Sequence, residues 1–487
     1  MPFILGTNSI KDTTYEVANS LRFDRVSSER LHFTQGSGDD TTARRKWTFS
    51  TWIKRGQLVN SSNHQYFFGV GTYTLIGFRL DGSGEADDMY IQVGTGSSAQ
   101  GLHTNAKFRD PSAWMHVYVA FDSTDGTATN RLKVYINGNL VDNAYGDYSQ
   151  DQRSSITQND EDDFVGNSGD VINIGYSTNG TNSYFDGYMA ETHLLIGTTK
   201  AHTEFGESND DGIWIPKETS FSTSDYGSNG FKLEYKQTGT SANSSGLGAD
   251  TSGNNNHFSV SNLTSVDQST DTCTNNFCTI NPLDNYYASS TLAEGNLKIT
   301  TNASNYSYTR GTFGLSSGKW YFEQKCVTAN NNSFGVADDA ATSTTNQLEV
   351  RANGWSYYAG GHVYNNSSTV ISPGTYTDDD ILGCYLDLDN NKIYFAKNGT
   401  ILNSGTGHSL TATSSLSSGL YFPAFGDGGT GSAVMEINFG NPTFSISSGN
   451  ADANGYGSFE YDPSSGTFDG ASKDFYAICT KNLAEFG

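Results

Sequence analysis

The same short β-meander is written twice in this chain. One copy runs from Trp114 to Val141: WMHVYVAFD, a loop, then RLKVYINGNLV. The other runs from Ile381 to Leu402: ILGCYLDLD, Asn390-Asn391, then KIYFAKNGTIL. In each, a strand ending in Asp leads through a polar turn into an alternating strand, then Asn-Gly, then another short strand. Asn-Gly between alternating apolar residues is the strongest short-range hairpin signal, because a type I′ turn needs positive φ at both central positions. Met115, Val117, Val119 and Phe121 make one apolar face, and Leu132, Val134 and Ile136 make the matching face of the next strand. An antiparallel sheet with one buried face requires that alternation. The copies lie about 260 residues apart, too far for a solenoid repeat. The expected fold class is therefore all-β: two tandem antiparallel β-sandwiches of jelly-roll-like form, an architecture that mostly serves binding.

Composition agrees. A chain of 487 residues holds two or three such domains, and only 16% of it is charged, against about 25% in an average globular protein. Gly, Ser, Thr and Asn take the place of charge, and 28 Tyr and 28 Phe recur throughout, which suits short strands joined by many turns. The formal net charge is −24, a field that repels nucleic acid and anionic membranes, so neither is an expected partner. Five cysteines, Cys273, Cys278, Cys326, Cys384 and Cys479, form no disulfide framework and no CxxC pair. Cys273 and Cys278 flank Thr-Asn-Asn-Phe and could pair, but the reduced state is expected. MPFILGTNSIKD lacks a basic n-region, so no signal peptide is expected, and no apolar run approaches the ~20 residues that span a bilayer.

Strand patterning divides the chain. Residues 1–18 read as an N-terminal arm that docks the protein on a larger assembly or packs on the first sandwich. Residues 19–262 read as the first sandwich, 263–290 as a connector, 291–447 as the second sandwich and 448–487 as a C-terminal extension. In Trp47–Trp52, Trp47, Phe49 and Thr51 share one face and Trp52 takes the other.

Several ordered motifs resemble the SPRY domain: GKWYFEQ (318–324), FGVADD (334–339), GWSYYAGGHVYNN (354–366), DDDILGCYLDLDNNKIYFAKNGT (378–400), LYFPAFG (420–426) and INFGNPTF (437–444). The resemblance implies a non-enzymatic ligand-binding fold. SLRFDRVSSERLHF, WTFSTWIKRG, WMHVYVAFD, LKVYINGNLV and FDGYMAETHLLIG resemble the laminin-G-like, concanavalin-A-like group. The whole order of modules looks like virion structural proteins of marine tailed phages. That likeness implies a tail fibre or receptor-binding appendage on the virion, assembled in the host cytoplasm and homo-oligomeric. Its implied partners are other virion proteins and a host-surface glycan or protein receptor. A capsid decoration or head-fibre protein is one alternative, and a polysaccharide-degrading enzyme of the concanavalin-A-like glucanase type is a second.

Catalytic signatures are not found. The nine histidines are scattered, with no two within four residues, and no nucleophile elbow, P-loop or dinucleotide fingerprint occurs. Glucanases need two carboxylates flanking the sugar bond. Asp387 and Asp389 end a strand before a turn and read as turn formers, while Asp186 and Glu191 lie at odd spacing, on opposite faces of a regular strand. No catalytic residue is assigned. The acidic run 160–163 is the best metal candidate: Asp160, Asp162 and Asp163 could supply oxygens to Ca²⁺, although a solvated acidic loop is the commoner meaning of such a run. The best ligand-binding candidates are Trp355, Tyr357, Tyr358, His362 and Tyr364 around Gly360-Gly361, since aromatic faces stack on sugars or peptides at low entropic cost. Trp355 and Tyr357 share one face and Tyr358 the other, so at least one of these faces is core.

Overall fold

The computed structural model describes residues 14–58, 64–79, 86–95, 98–141, 148–180, 183–338, 347–429 and 431–487. The chain divides at Thr274/Asn275 into two compact units. Each unit is built on two large, mainly antiparallel sheets around its own apolar core, so the protein is nearly all-β.

In the first unit one eight-stranded sheet runs Asn139–Leu140, Leu132–Ile136, Trp114–Asp122, Lys46–Arg55, Gly187–Ile196, Ser20–Phe23 and Gln268–Ser269, with Phe231–Leu233 also paired to Gly187–Ile196. The facing sheet runs from Tyr148–Asp151 through Ser98–Lys107, Asp88–Thr95, Thr74–Phe78, Gln65–Val70, Val171–Ile174 and Arg30–Thr34 to Ser259–Ser261. Trp47, Phe49, Val117, Val119, Phe121, Leu132 and Val134 point between the sheets into one buried cluster. Their alternation places the other half of each strand on the outer face.

That outer face is covered too. Tyr118, Ala120 and Leu195 pack beneath Phe205 and Tyr226, and Trp52 and Ala190 pack with Val17 and Trp214. Residues 205–226 thus form a lid across the sheet, built of a short antiparallel pair, Gly206–Ser208 with Trp214–Pro216, and one helical turn at Thr223–Tyr226.

In the second unit one sheet runs Ile280–Tyr287, Ser307–Gly311, Tyr421–Asp427, Asn332–Asp338, Trp355–Tyr358, His362–Asn365 and Ser368–Ile371. Its partner runs Thr291–Ala293, Lys298–Thr300, Val434–Asn438, Lys319–Thr328, Ile381–Asp387, Lys392–Lys397 and Thr400–Ile401. Phe322, Phe334, Cys384, Leu386, Ile393, Phe395 and Phe425 fill the space between them.

Residues 448–487 supply the outer cover of this second unit. Phe459, Phe468 and Phe475 bury the outward rings Tyr321, Tyr385 and Tyr394, and Tyr476–Ala477 pairs parallel with Lys319–Thr328. Buried Glu323 fixes this cover. It accepts hydrogen bonds from the backbone N–H of Glu460 and Tyr461, from Asn438 Nδ2 and from the Tyr321 hydroxyl at 2.9–3.1 Å.

The boundary falls inside the segment 263–290. Gln268–Ser269 pairs with Ser20–Phe23, and Asp271 meets the Lys54 ammonium at 2.8 Å, both within the first unit. Ile280–Tyr287 belongs to a sheet of the second. Cys273 therefore lies in the first unit and Cys278 in the second, and all five cysteines are free thiols. Residues 1–13, most of the N-terminal arm, lie outside the described residues. Among the described residues no helix is long and apolar enough to cross a membrane.

Candidate functional site

The five aromatic candidates fall on two adjacent strands, Trp355–Tyr358 and His362–Asn365, paired so that Tyr358 opposes His362 and Tyr357 opposes Val363. Alternation sends Trp355 and Tyr357 inward. Trp355 is buried and stacks on His408 with ring centroids 5.5 Å apart. Tyr357 is buried edge-on to Tyr376, and its hydroxyl donates to the Gly374 carbonyl at 2.6 Å. Both are core side chains.

Tyr358, His362 and Tyr364 lie together on the outer face and are half-buried. Tyr364 meets Tyr358 edge-to-face at 6.0 Å and His362 at 5.8 Å. The Tyr358 hydroxyl donates to Asn331 Oδ1 at 2.6 Å, and His362 Nδ1 lies 2.9 Å from the Ser372 hydroxyl. Hydrogen bonds of this kind fix the rings before any ligand arrives, which lowers the ordering cost of binding.

Tyr358 and Tyr364 wall a concavity of about 220 Å³ that Gln347, Glu349, Val350, Ser367 and Gly428 complete. The 3₁₀ turn Leu348–Val350 roofs it. Leu348 anchors the turn in a small cluster with Tyr308, Ala337 and Ala424 on the outer sheet face, and the Ser367 N–H donates to the Glu349 carbonyl at 2.9 Å. Glu349 is thereby held 4% exposed. Among the described residues, no other residue donates a hydrogen bond to either of its carboxylate oxygens. Burial pushes its pKa up to about 7 against the opposing pull of its own backbone N–H, and the nearby Asp427 acts with burial. Burial also raises the Tyr358 pKa, with the Glu349 charge adding to it.

The acidic run does not assemble as a ligand set. The ligand atoms of Asp160, Asp162 and Asp163 are not within mutual reach of one ion. Asp162 points into the core, where it accepts from Trp47 Nε1 at 3.0 Å, from the Thr74 hydroxyl at 2.9 Å, and from the N–H groups of Phe164 and Val165. Burial raises its pKa to about 6. It is a buried acceptor that ties the loop to two strands.

Asp186 and Glu191 are both buried. Asp186 accepts from the Gln57 N–H at 2.9 Å, and burial lifts its pKa to about 7. Glu191, at a bulge with φ 45°, meets His193 and Lys232 at 3.6 Å and accepts from the Tyr15 hydroxyl. Burial raises its pKa, but His193 and Lys232 outweigh that and hold it below the usual carboxylate range. Asp387 caps its turn, accepting from the Asn390 N–H at 3.1 Å, while Asp389 ties that turn to the neighbouring strand through the Gly318 N–H at 2.8 Å and the Lys319 ammonium at 2.6 Å.

A second concavity, of about 350 Å³, lies on the first unit between Tyr118, Asp122, Lys133, Tyr135, Lys200 and His202. The Tyr135 and His202 rings stack at 3.9 Å, so those faces are already occupied by each other. Tyr118, Asp122, Lys133 and Tyr135 belong to the first Asn-Gly meander, and Lys200 and His202 join them from a distant stretch that no local pattern connects to it.

Two antiparallel sandwiches, each with its own core and one bearing an aromatic concavity on an outer sheet face, define a protein of two binding-type modules. Residues 31–197 match the concanavalin A-like lectin/glucanases superfamily, and residues 319–442 match the SPRY domain. The chain therefore carries one domain of each kind. A stretch of 159 residues is 26% identical to the probable ATP-dependent RNA helicase ddx1 of Dictyostelium discoideum, covering 33% of this chain and 19% of the helicase. The chain thus spans about a fifth of that curated relative. Among solved structures, the SPRY domain of human HERC1 matches at 18% identity and TM-score 0.28, covering 32% of this chain and 96% of that one. A further human SPRY domain matches at 19% identity and TM-score 0.23, over 29% and 90% respectively.

Proposed function

We propose that this chain is a non-catalytic recognition protein that captures its ligand at the concavity between Tyr358 and Tyr364 on the SPRY domain. The observation that carries this reading is a recess of about 220 Å³ walled by two half-buried rings in edge-to-face contact, Tyr364 and Tyr358, the latter held through Asn331. Recesses with aromatic walls and a few polar groups are the usual form of a ligand site. The order of modules supports placing the protein on a phage virion, as a tail fibre or receptor-binding appendage. Its ligand is then a host-surface glycan or protein receptor, or another virion protein.

The test compares wild type with Tyr364→Ala on a glycan array and on purified host envelopes. Specific binding that is not followed by hydrolysis, and that Tyr364→Ala reduces at least tenfold with the fold intact, is the expected result. Binding that is untouched by Tyr364→Ala and Tyr358→Ala would place the site elsewhere. Immunogold electron microscopy of particles locates the protein; its absence from purified particles would refute the virion assignment.

A further inference from the structure

One charged group in the SPRY recess is bonded to no other side chain among the described residues. Glu349 is 4% exposed and lines the recess, and among the described residues no other residue donates a hydrogen bond to either carboxylate oxygen. Nearly all buried polar groups in native proteins are bonded, so an orphaned carboxylate facing a recess marks a place where a partner is missing. Leaving such a group unpaired costs stability, and the turn that holds it is nonetheless firmly anchored through Leu348 and the Ser367 N–H. The nearest guanidinium in sequence, Arg351, turns away and sits 4.2 Å over the Tyr308 ring. Of the residues lining the recess, Glu349 is the one that carries charge. Asp427 lies close enough to push the Glu349 carboxyl toward its protonated form, so the neighbourhood holds negative charge in excess. Two tyrosine rings form the wall.

Resting on the binding reading above, we infer that the recess selects a cation: a primary ammonium or guanidinium group whose N–H donors pair with the Glu349 carboxylate while its alkyl stem lies against Tyr358 and Tyr364. Charge pairing inside a recess is worth more than in water because solvent is displaced, and tyrosine faces attract cations in addition. A volume of about 220 Å³ admits one side-chain-sized cationic group, whether it stands alone or projects from a larger ligand. The cation can come from a lysine or arginine of a partner protein or from a free amine. A chain with net charge −24 also draws cationic ligands toward it at low salt.

The experiment titrates the full chain with butylammonium, ethylguanidinium and the neutral isostere pentanol, and with a lysine-containing peptide and its norleucine counterpart. Chemical shifts of the Tyr358 and Tyr364 rings report occupancy. The cations are expected to bind at least tenfold more tightly than pentanol, and Glu349→Gln is expected to remove that preference. Tighter binding of the peptide than of butylammonium would identify a protein side chain as the source, and the reverse order a free amine. Glu349→Gln should melt no lower than wild type, because an unpaired buried charge is removed; a lower melting temperature would show a structural role and overturn the inference. Equal binding of neutral and cationic probes, still abolished by Tyr364→Ala, would overturn the cation assignment while leaving the recess as the binding site. Failure of every probe, neutral or charged, to perturb either ring would count against both.

Discussion

The two Asn-Gly meanders are built alike in detail. In the first, Asn137 and Gly138 have φ of 48° and 75°; in the second, Asn398 and Gly399 have 48° and 74°. In each the Asn side chain accepts from a backbone N–H at the start of the preceding long strand, His116 at 2.7 Å and Ile381 at 2.8 Å. In each the strand-end Asp accepts from a turn N–H: Asp122 from Thr124 and Asp387 from Asn390. In each an aromatic ring from the covering segment sits on the Gly, so that a Cβ would lie 2.3 Å from Trp214 at Gly138 and 2.6 Å from Tyr461 at Gly399. The difference lies in the covers. The first is a polar aromatic stack, Tyr135–His202–Trp214–His116, with Trp214 Nε1 donating to His116 Nδ1 at 3.1 Å. The second is an apolar lid of three phenylalanines fixed by Glu323. One turn geometry serves any right-twisted antiparallel pair, so the turns reflect shared backbone physics, and each domain's individuality resides in what lies over its outer sheet face.

The strongest way to test this is to remove one cover. A chain lacking residues 448–487 should lose the folding transition of the second unit and keep that of the first. The three phenylalanines alone bury about 1.5–3 kcal/mol each, and loss of the cover strips Glu323 of two backbone donors, together comparable with the ~5–15 kcal/mol that holds a domain. Calorimetry reads this directly, and two surviving transitions would mean the cover is ornamental.

A smaller effect addresses the likeness. Gly138→Ala and Gly399→Ala should each cost about 2–4 kcal/mol, from left-handed backbone strain plus collision with Trp214 or Tyr461. Urea unfolding of the two variants should show similar losses, each in its own unit; a loss in one unit alone would break the parallel.

The smallest effect addresses the difference. His116 is buried, and burial, aided by His193 and His202, lowers its pKa to about 3. Because Nδ1 accepts from Trp214, the neutral ring donates from Nε2 to the Ser50 hydroxyl at 2.8 Å. The unfolded chain takes up this proton near pH 6.5, so the stability tied to neutral His116 is complete above that pH and is lost as pH falls toward 3. The slope is about 1.4 kcal/mol per pH unit. Asp162 and Asp186 in the same unit, with raised values, act in the opposite sense. The readout is therefore the difference between wild type and His116→Gln in urea unfolding of the first unit from pH 6.5 to 5.5, a change of about 1 kcal/mol. An identical pH profile for the two proteins would show that the aromatic stack does not exclude the proton.

The central strands were legible from their apolar residues: Ile381–Asp387 alternates, and Gly187–Ile196 carries two continuous apolar runs on either side of the bulge at Glu191. Edge and polar strands were not. Ile280–Tyr287 contains Pro282 and reads as a connector, but it is the outermost strand of its sheet, where a missing N–H is tolerated. Ser98–Lys107 has no alternation to read. At the site, Tyr358, His362 and Tyr364 were visible as an aromatic cluster, and alternation correctly separated Tyr358 from the inward Trp355 and Tyr357. Glu349 was invisible, since a single Glu in QLEV acquires meaning only when tertiary packing buries it. Asp162 failed as a metal candidate for the same reason: the run advertises charge, while the neighbouring strands turn its middle member inward.

Tyr476–Ala477 runs parallel to Lys319–Thr328, with Tyr476 opposite Trp320. The two pieces are separated by most of the second domain, so folding during synthesis is staged. The first domain has all its strands once residue 274 has left the ribosome. The second must wait, its tyrosine-lined sheet uncovered, until the segment carrying Phe475 and Tyr476 emerges, which makes those late codons the point at which a nascent chain is most exposed to chaperones and to aggregation.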